Sequence, residues 1–241
     1  MLHKTRGIVL KTTDYSESSV IVQILTEKFG LQSYLINGVK KPKAKIRQNM
    51  LQPLHLLDMV VYYKPGGNIQ RVAELRQAHI LQNIPYDTVK SALALFLNEV
   101  LYKSIRHQDP DQTLFEYVFH SIELLDEITE GTENFHLFFL MRLTQFLGFY
   151  PDSLNSNAPF FDLKNGVYCN TKPTHLFVLE LPYKKYWSDL INSTFDQTDQ
   201  IKIPGNDRRA LLEYLLDYYR LHLDNFGEVK SHRILEEVLS A

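Results

Sequence analysis

From residue 6 to about 80 the chain alternates apolar and polar positions, and clusters of turn formers cut this stretch into five strand-like segments, 7–12, 19–25, 29–36, 54–63 and 69–75. Asp14–Ser18 reads as a polar turn, Glu27-Lys28 as a tighter one, and Gly66-Gly67 as the turn between the last two strands. Five short strands, with the longest connection between the third and fourth, have the dimensions of a small β-barrel. Both a five-stranded, partly open Greek-key OB-fold and an SH3-like barrel fit the pattern.

After Pro85 the period changes from 2 to about 3.6. Asp87 or Thr88 caps a predicted helix with a stripe of Val89, Leu93, Phe96, Leu97, Val100 and Leu101. Asp109-Pro110 is an N-cap followed by proline at the first helical position, and predicts a second helix buried through Leu114, Phe115, Val118, Ile122 and Leu125. Asn134 opens a third, apolar on most sides, that Gly148 stops. Residues 150–185 carry Pro151, Pro159, Pro173 and Pro182 and an Asn165-Gly166 hairpin signal, which predicts a small irregular insertion with a β-hairpin. Pro204-Gly205-Asn206 introduces a long helix from Asp207 to about Asn225, and a terminal helix follows Gly227 and ends at Leu239. The expected fold class is α+β and multidomain: a barrel domain over 1–80, then an all-α helical domain over 81–241 that holds the 150–185 insertion.

Charge changes the picture, because it is segregated. The whole chain has a net charge of −2, yet residues 1–80 hold 12 Lys+Arg against 5 Asp+Glu, a net of +7, and residues 81–241 a net of −9. Lys40, Lys41, Lys43, Lys45 and Arg47 fall within eight residues between two strands, around Pro42, so the run is a loop with its cations turned to solvent. Glu27 and Asp58 are the nearest acids downstream of the first turn. A charge run is commonly just a solvated face; cations without paired acids repel one another and favour a polyanion. If all five each neutralise a phosphate, single-strand affinity falls with a log–log salt slope of about −3.5. Arg6 and Arg71 join the candidates on charge alone. Bases stack on exposed rings, and Tyr15, Tyr34, Tyr62 and Tyr63 are available; Tyr34, next to the basic loop, is the favoured one, since one of Tyr62 and Tyr63 must face the core. Lys230 and Arg233 open the terminal helix, either as pairs for neighbouring acids around a capping Ser231 or as a second phosphate contact.

Other chemistry is not legible. The sequence has no His-Glu-x-x-His pair, no phosphate-loop Gly-Lys-Ser/Thr and no Gly-x-Ser-x-Gly. Acid clusters such as Glu123, Asp126 and Glu127 read as solvated helix faces. Cys169 with His175 lacks a third partner for nucleophilic catalysis. No apolar run approaches the roughly 20 residues of a membrane span, no export signal opens the chain, and a lone cysteine suits a reducing compartment. The expectation is a cytoplasmic protein without catalytic residues, metal or cofactor.

These residues resemble the bacterial recombination mediator family RecO. The likeness runs through Gly7–Leu10, Asp14–Ser19, Leu25–Gly30, Asn37–Lys43 and Leu51–Leu54, and returns in Lys230-Ser231-His232-Arg233-Ile234-Leu235. It implies an N-terminal OB-fold and a helical C-terminal domain without enzymatic turnover. It also implies a protein that binds single- and double-stranded DNA, anneals complementary strands, and works with RecR to help RecA replace single-strand-binding protein, whose acidic C-terminal tail docks on the helical domain. By motif, Lys40, Lys41, Lys43, Lys45 and Arg47 are the implied DNA contacts; Arg106, Arg142, Arg208 and Arg209 are candidates for the tail. Many family members hold zinc with four cysteines in the insertion. Here one cysteine remains, so zinc is not expected and packing of Phe160, Phe161, Val167, Tyr168 and Phe177 has to hold that segment. An RNA- or translation-associated OB-fold adaptor would use the same barrel and loop.

Overall fold

A computed structural model describes residues 1–105 and 109–240. Contacts gather the chain into two compact units, Met1–Glu127 and Ile128–Ala241. The first two helices thus group with the barrel.

In the first unit, β1 (Leu2–Asp14), β2 (Val20–Thr26), β3 (Gly30–Ile36), β4 (Leu56–Tyr62) and β5 (Gln70–Gln77) close into a barrel in the order β1-β2-β3-β5-β4, with β4 returning to β1. Neighbours are antiparallel except β3 and β5, whose parallel pairing is limited to Tyr34 with Gln70 and Leu35 with Arg71. This is the OB-like arrangement rather than an SH3-like one. β1 begins earlier than its alternating pattern suggests because it serves two partners, β4 from Leu2 to Ile8 and β2 from Gly7 to Asp14. Gly7 and Ile8 are shared by both pairings, and at Gly7 an added Cβ would lie 2.6 Å from Ile24 Cγ2 and 2.8 Å from Met59 Sδ. A register shift between Val9 and Lys11 bends the strand further round the barrel. Alternate residues of each strand fill the interior, including Val9, Val22, Ile24, Tyr34, Met59 and Val61.

Two helices complete this unit. Asp87 caps α1 (Thr88–Ser104) by accepting from the Lys90 N–H at 2.9 Å, and Asn98 donates to the Leu10 carbonyl of β1 at 3.1 Å. The second helix, α2 (Gln112–Glu127), starts later than Asp109-Pro110 suggests. The capping carboxylate is Asp111, which accepts from the Leu114 N–H at 2.9 Å, so the proline stands before the first turn. At the other end, buried Asp126 accepts from the N–H groups of Gln82, Asn83 and Ile84, each at 2.8 Å, and so ties the segment between β5 and α1 to α2.

The second unit centres on α3 (Phe135–Phe146), where nine of twelve side chains are buried and Gly148 at φ +84° ends the helix. The 150–185 segment is more regular than its prolines suggest: β6 (Phe160–Asp162), β7 (Val167–Cys169) and β8 (Val178–Leu179) form a sheet in the order β7-β6-β8, turning at Gly166 with φ +69°. A helix absent from the sequence reading follows, α4 (Tyr183–Asn192), with Trp187, Leu190 and Ile191 buried at helical spacing. Then come α5 (Gly205–His222) and the short α6 (His232–Val238), each ending a little before its expected boundary. Among the described residues no helix is long and apolar enough to cross a membrane.

Candidate nucleic-acid interface

The basic loop leaves β3 at Ile36 and is built from two successive turns, Lys41 N–H to Gly38 C=O at 3.2 Å and Ala44 N–H to Lys41 C=O at 3.0 Å. Gly38, at φ +75°, takes the left-handed conformation the first turn needs. Three apolar residues pin this stretch to the barrel: Val39 and Leu51 are buried in its core and Ile46 packs against it. The Thr12 hydroxyl holds the far end, donating to the Leu51 carbonyl at 2.7 Å. With its apolar residues turned in, the loop has only outward directions left for its cations.

Those cations do not share one environment. Lys40 Nζ sits 2.8 Å from the Asp14 carboxylate, an acid that lies farther away in sequence than the loop's own neighbours. Lys41, Lys43, Lys45 and Arg47 are exposed and form no ion pair among the described residues. Lys41, Lys43 and Lys45 line a groove of about 420 Å³ together with Arg71 of β5, over a floor that includes Leu35, Ile46 and Val72. Arg71 reaches the groove because it is the Cα partner of Leu35 across the parallel β3–β5 pair. Strand register therefore supplies a fourth cation that loop composition did not locate.

Two of the sequence candidates are elsewhere. Tyr34 is fully buried, in phase with Gln32 and Ile36 on the inward face of β3, and burial pushes its phenol pKa up; it cannot be a stacking platform. Its neighbour Leu35 is the outward residue. Arg6 is not a free cation. Its Nε and Nη2 donate to Glu27 at 3.2 and 3.1 Å, Nη2 also donates to Glu116 of α2, and the guanidinium lies 4.9 Å from the Phe119 ring centre and 5.3 Å from that of Phe115. The Glu27 hydrogen bond is the largest reason its pKa is raised, against burial. Arg6 fastens β1 to α2.

An exposed ring does stand beside the groove. Tyr62, 51% exposed, is the register partner of Arg71 on one side and of Leu2 on the other, so Leu2, Tyr62, Arg71 and Leu35 form one outward row across β1, β4, β5 and β3. Tyr63, the other of the pair, stacks on Phe29 at 4.0 Å. The signal was in the sequence: Met59 and Val61 face inward, and a period of 2 turns Tyr62 outward.

The model for the N-terminal region of recombination protein O matches residues 1–82, and that for its C-terminal region matches residues 85–232. The chain belongs to the recombination protein O family. It is 35% identical over 241 residues to the DNA repair protein RecO of Phocaeicola vulgatus, covering all of both chains. It is 33% identical over 239 residues to that of Azobacteroides pseudotrichonymphae and 35% identical over 240 residues to that of Bacteroides fragilis, covering 99% of each chain in both cases.

In this RecO family member the small sheet is held without a cysteine cluster. Phe161 packs on Tyr168 at 4.8 Å and on buried Trp187 at 5.2 Å. Asp162, also buried, accepts from the Lys164 N–H at 2.8 Å and the Asn165 side chain at 2.7 Å, and lies 3.3 Å from His175 Nε2. Among the described residues no three metal-donating side chains converge in this segment.

Five further candidates, Lys230, Arg233, Arg142, Arg208 and Arg209, belong to the second unit. Lys230 is exposed just before α6; Arg233 pairs with Glu228 at 2.9 Å, and Ser231 makes no capping bond. Arg142 donates to the Ser193 carbonyl at 3.3 Å and sits over the Tyr150 ring. Arg208 and Arg209 line a cavity of about 280 Å³ with Leu212, Leu235 and Leu239. Arg106 lies outside the described residues.

Proposed function

We propose that this protein is a DNA-binding mediator of recombinational repair that holds single- and double-stranded DNA along the groove of Lys41, Lys43, Lys45 and Arg71 and anneals complementary strands. The observation that carries the reading is the groove itself: four cations around one channel, with an apolar floor and no carboxylate taking their charge among the described residues. Annealing brings two polyanions together. Lysines that engage phosphates lower that repulsion while leaving base edges free to pair. Arg47, exposed next in sequence to Ile46 of the groove floor, is proposed as a further contact, and Lys230 with Arg233 as a separate phosphate contact of the second unit.

The protein acts without turnover of its own, in the cytoplasm, with RecR, and helps RecA replace single-strand-binding protein. The acidic tail of that protein is proposed to seat in the cavity of Arg208 and Arg209, where guanidinium groups and leucines suit an acidic, apolar peptide. The test is annealing of complementary oligonucleotides coated with the cognate single-strand-binding protein. The wild type accelerates pairing, and replacing Lys41, Lys43, Lys45 and Arg71 together by alanine removes the acceleration without lowering the melting temperature. Undiminished annealing by that variant sinks the reading.

A further inference from the structure

Within the second unit, α5 and α6 bring three potential metal donors together. Glu213 projects from α5, and His232 and Glu236, one helical turn apart on α6, face it; one ligand atom from each lies within 4.8 Å of the other two. His232 is 9% exposed, and its Nδ1 is 2.5 Å from the Val229 carbonyl. A carbonyl only accepts, so Nδ1 carries the proton there. The other nitrogen, Nε2, is directed at the Glu213 carboxylate at 3.2 Å. A bare lone pair on that nitrogen would face an anion, so the contact needs positive charge on the Nε2 side, from a second ring proton or from a bound cation. A backbone carbonyl on the far nitrogen is also the contact that fixes the tautomer and orientation of metal-bound histidines.

The neighbouring cations do not supply that charge. Arg209 and Arg233 line the cleft beside Glu236, but Arg209 donates to the Ser240 hydroxyl and Arg233 to Glu228. Among the described residues neither Glu213 nor Glu236 forms an ion pair with a lysine or arginine. One imidazole and two carboxylates carry the charge and donor types that bind zinc-class divalent ions, with water free to complete a tetrahedron.

We propose that Glu213, His232 and Glu236 form a zinc-class divalent-cation site that fastens α6, and with it the Lys230–Arg233 stretch, to α5. This site is remote in sequence from the insertion and uses none of its residues. The two carboxylates are partly exposed, so their amide variants test the site without emptying the core. The full-length protein is stripped with chelator, dialysed against zinc, and assayed for metal content and melting temperature. One zinc per chain is expected, with a melting temperature that rises with the logarithm of free zinc and an affinity at least about tenfold weaker in Glu213→Gln and in Glu236→Gln. The proposal fails if no zinc is retained, or if the Glu213→Gln/Glu236→Gln double variant binds zinc as the wild type does. It fails equally if retention is lost on His120→Ala, which would place the ion on the exposed cluster of His120, Glu116 and Glu123.

Discussion

Lys40, just beyond β3, and Asp14, the last residue of β1, form an ion pair of 2.8 Å, and this sets the first cation of the basic loop apart from the four that follow. Asp14 is 69% exposed, and its side chain makes no other ion pair among the described residues. Replacing it by asparagine frees Lys40 and removes an anion from the rim. Tighter binding of single-stranded DNA is expected, with a log–log salt slope steeper by about 0.7 and an unchanged melting temperature. Fluorescence anisotropy over a salt series reads both.

The two tyrosines of the barrel separate stacking from stability. Tyr62→Ala removes an exposed ring beside Arg71, with an expected loss of about 1–3 kcal/mol in single-strand affinity and little change in melting. Tyr34→Ala empties the barrel core and should cost about 3–5 kcal/mol of stability, with the folded fraction binding DNA normally. Chemical denaturation and anisotropy on each variant check the contrast; a reversal of the two phenotypes would place the platform elsewhere.

Arg6 joins β1 to α2 through Glu27 and Glu116 and lies over two phenylalanine rings. Arg6→Ala leaves both carboxylates without their guanidinium and should cost about 2 kcal/mol or more, while DNA affinity measured below the unfolding transition stays at the wild-type value. Lysine, with no planar fork, restores little of the stability.

Asp126 gives the fold an acid-sensitive point. Burial by itself would raise its pKa, but the N–H groups of Ile84, Gln82 and Asn83 outweigh burial and hold the carboxyl below its usual range. A carboxylate depressed in the folded state contributes its full stability above the unfolded value of about 3.9 and loses it as pH falls through the folded value. The wild type should therefore lose stability steeply below about pH 4. Asp126→Asn should flatten that slope and cost about 1–3 kcal/mol at neutral pH; urea melts across the pH range would show it.

The strands, the Asp87 cap, the Gly148 stop and the Asn165-Gly166 hairpin were legible because each rests on a local rule of period or backbone conformation. What needed a third dimension was not. Tyr34 and Leu35 are equally plausible as outward residues until the barrel closes and fixes which of them lies in phase with Ile36. Asp14 pairs with Lys40 from a distant point of the chain, and Glu116 reaches Arg6 across 110 positions, so no count of nearby acids could separate the free cations from the occupied ones. The helix Tyr183–Asn192 was hidden by the prolines before it and by its aromatic, weakly helix-forming start. Asp109-Pro110 and Asp111 offer two carboxylates two residues apart, and only the bond to Leu114 shows which one caps.

The parallel contact between β3 and β5 amounts to two residue pairs, the lightest stitching anywhere in the barrel wall. Lys45 follows one side of that seam and Arg71 belongs to the other, so a polyanion that grips both is laced across the join. If DNA fills the channel as proposed, its occupancy and the tightening of the wall would be a single event, and the amides of Leu35 and Arg71 are where that tightening would be felt first.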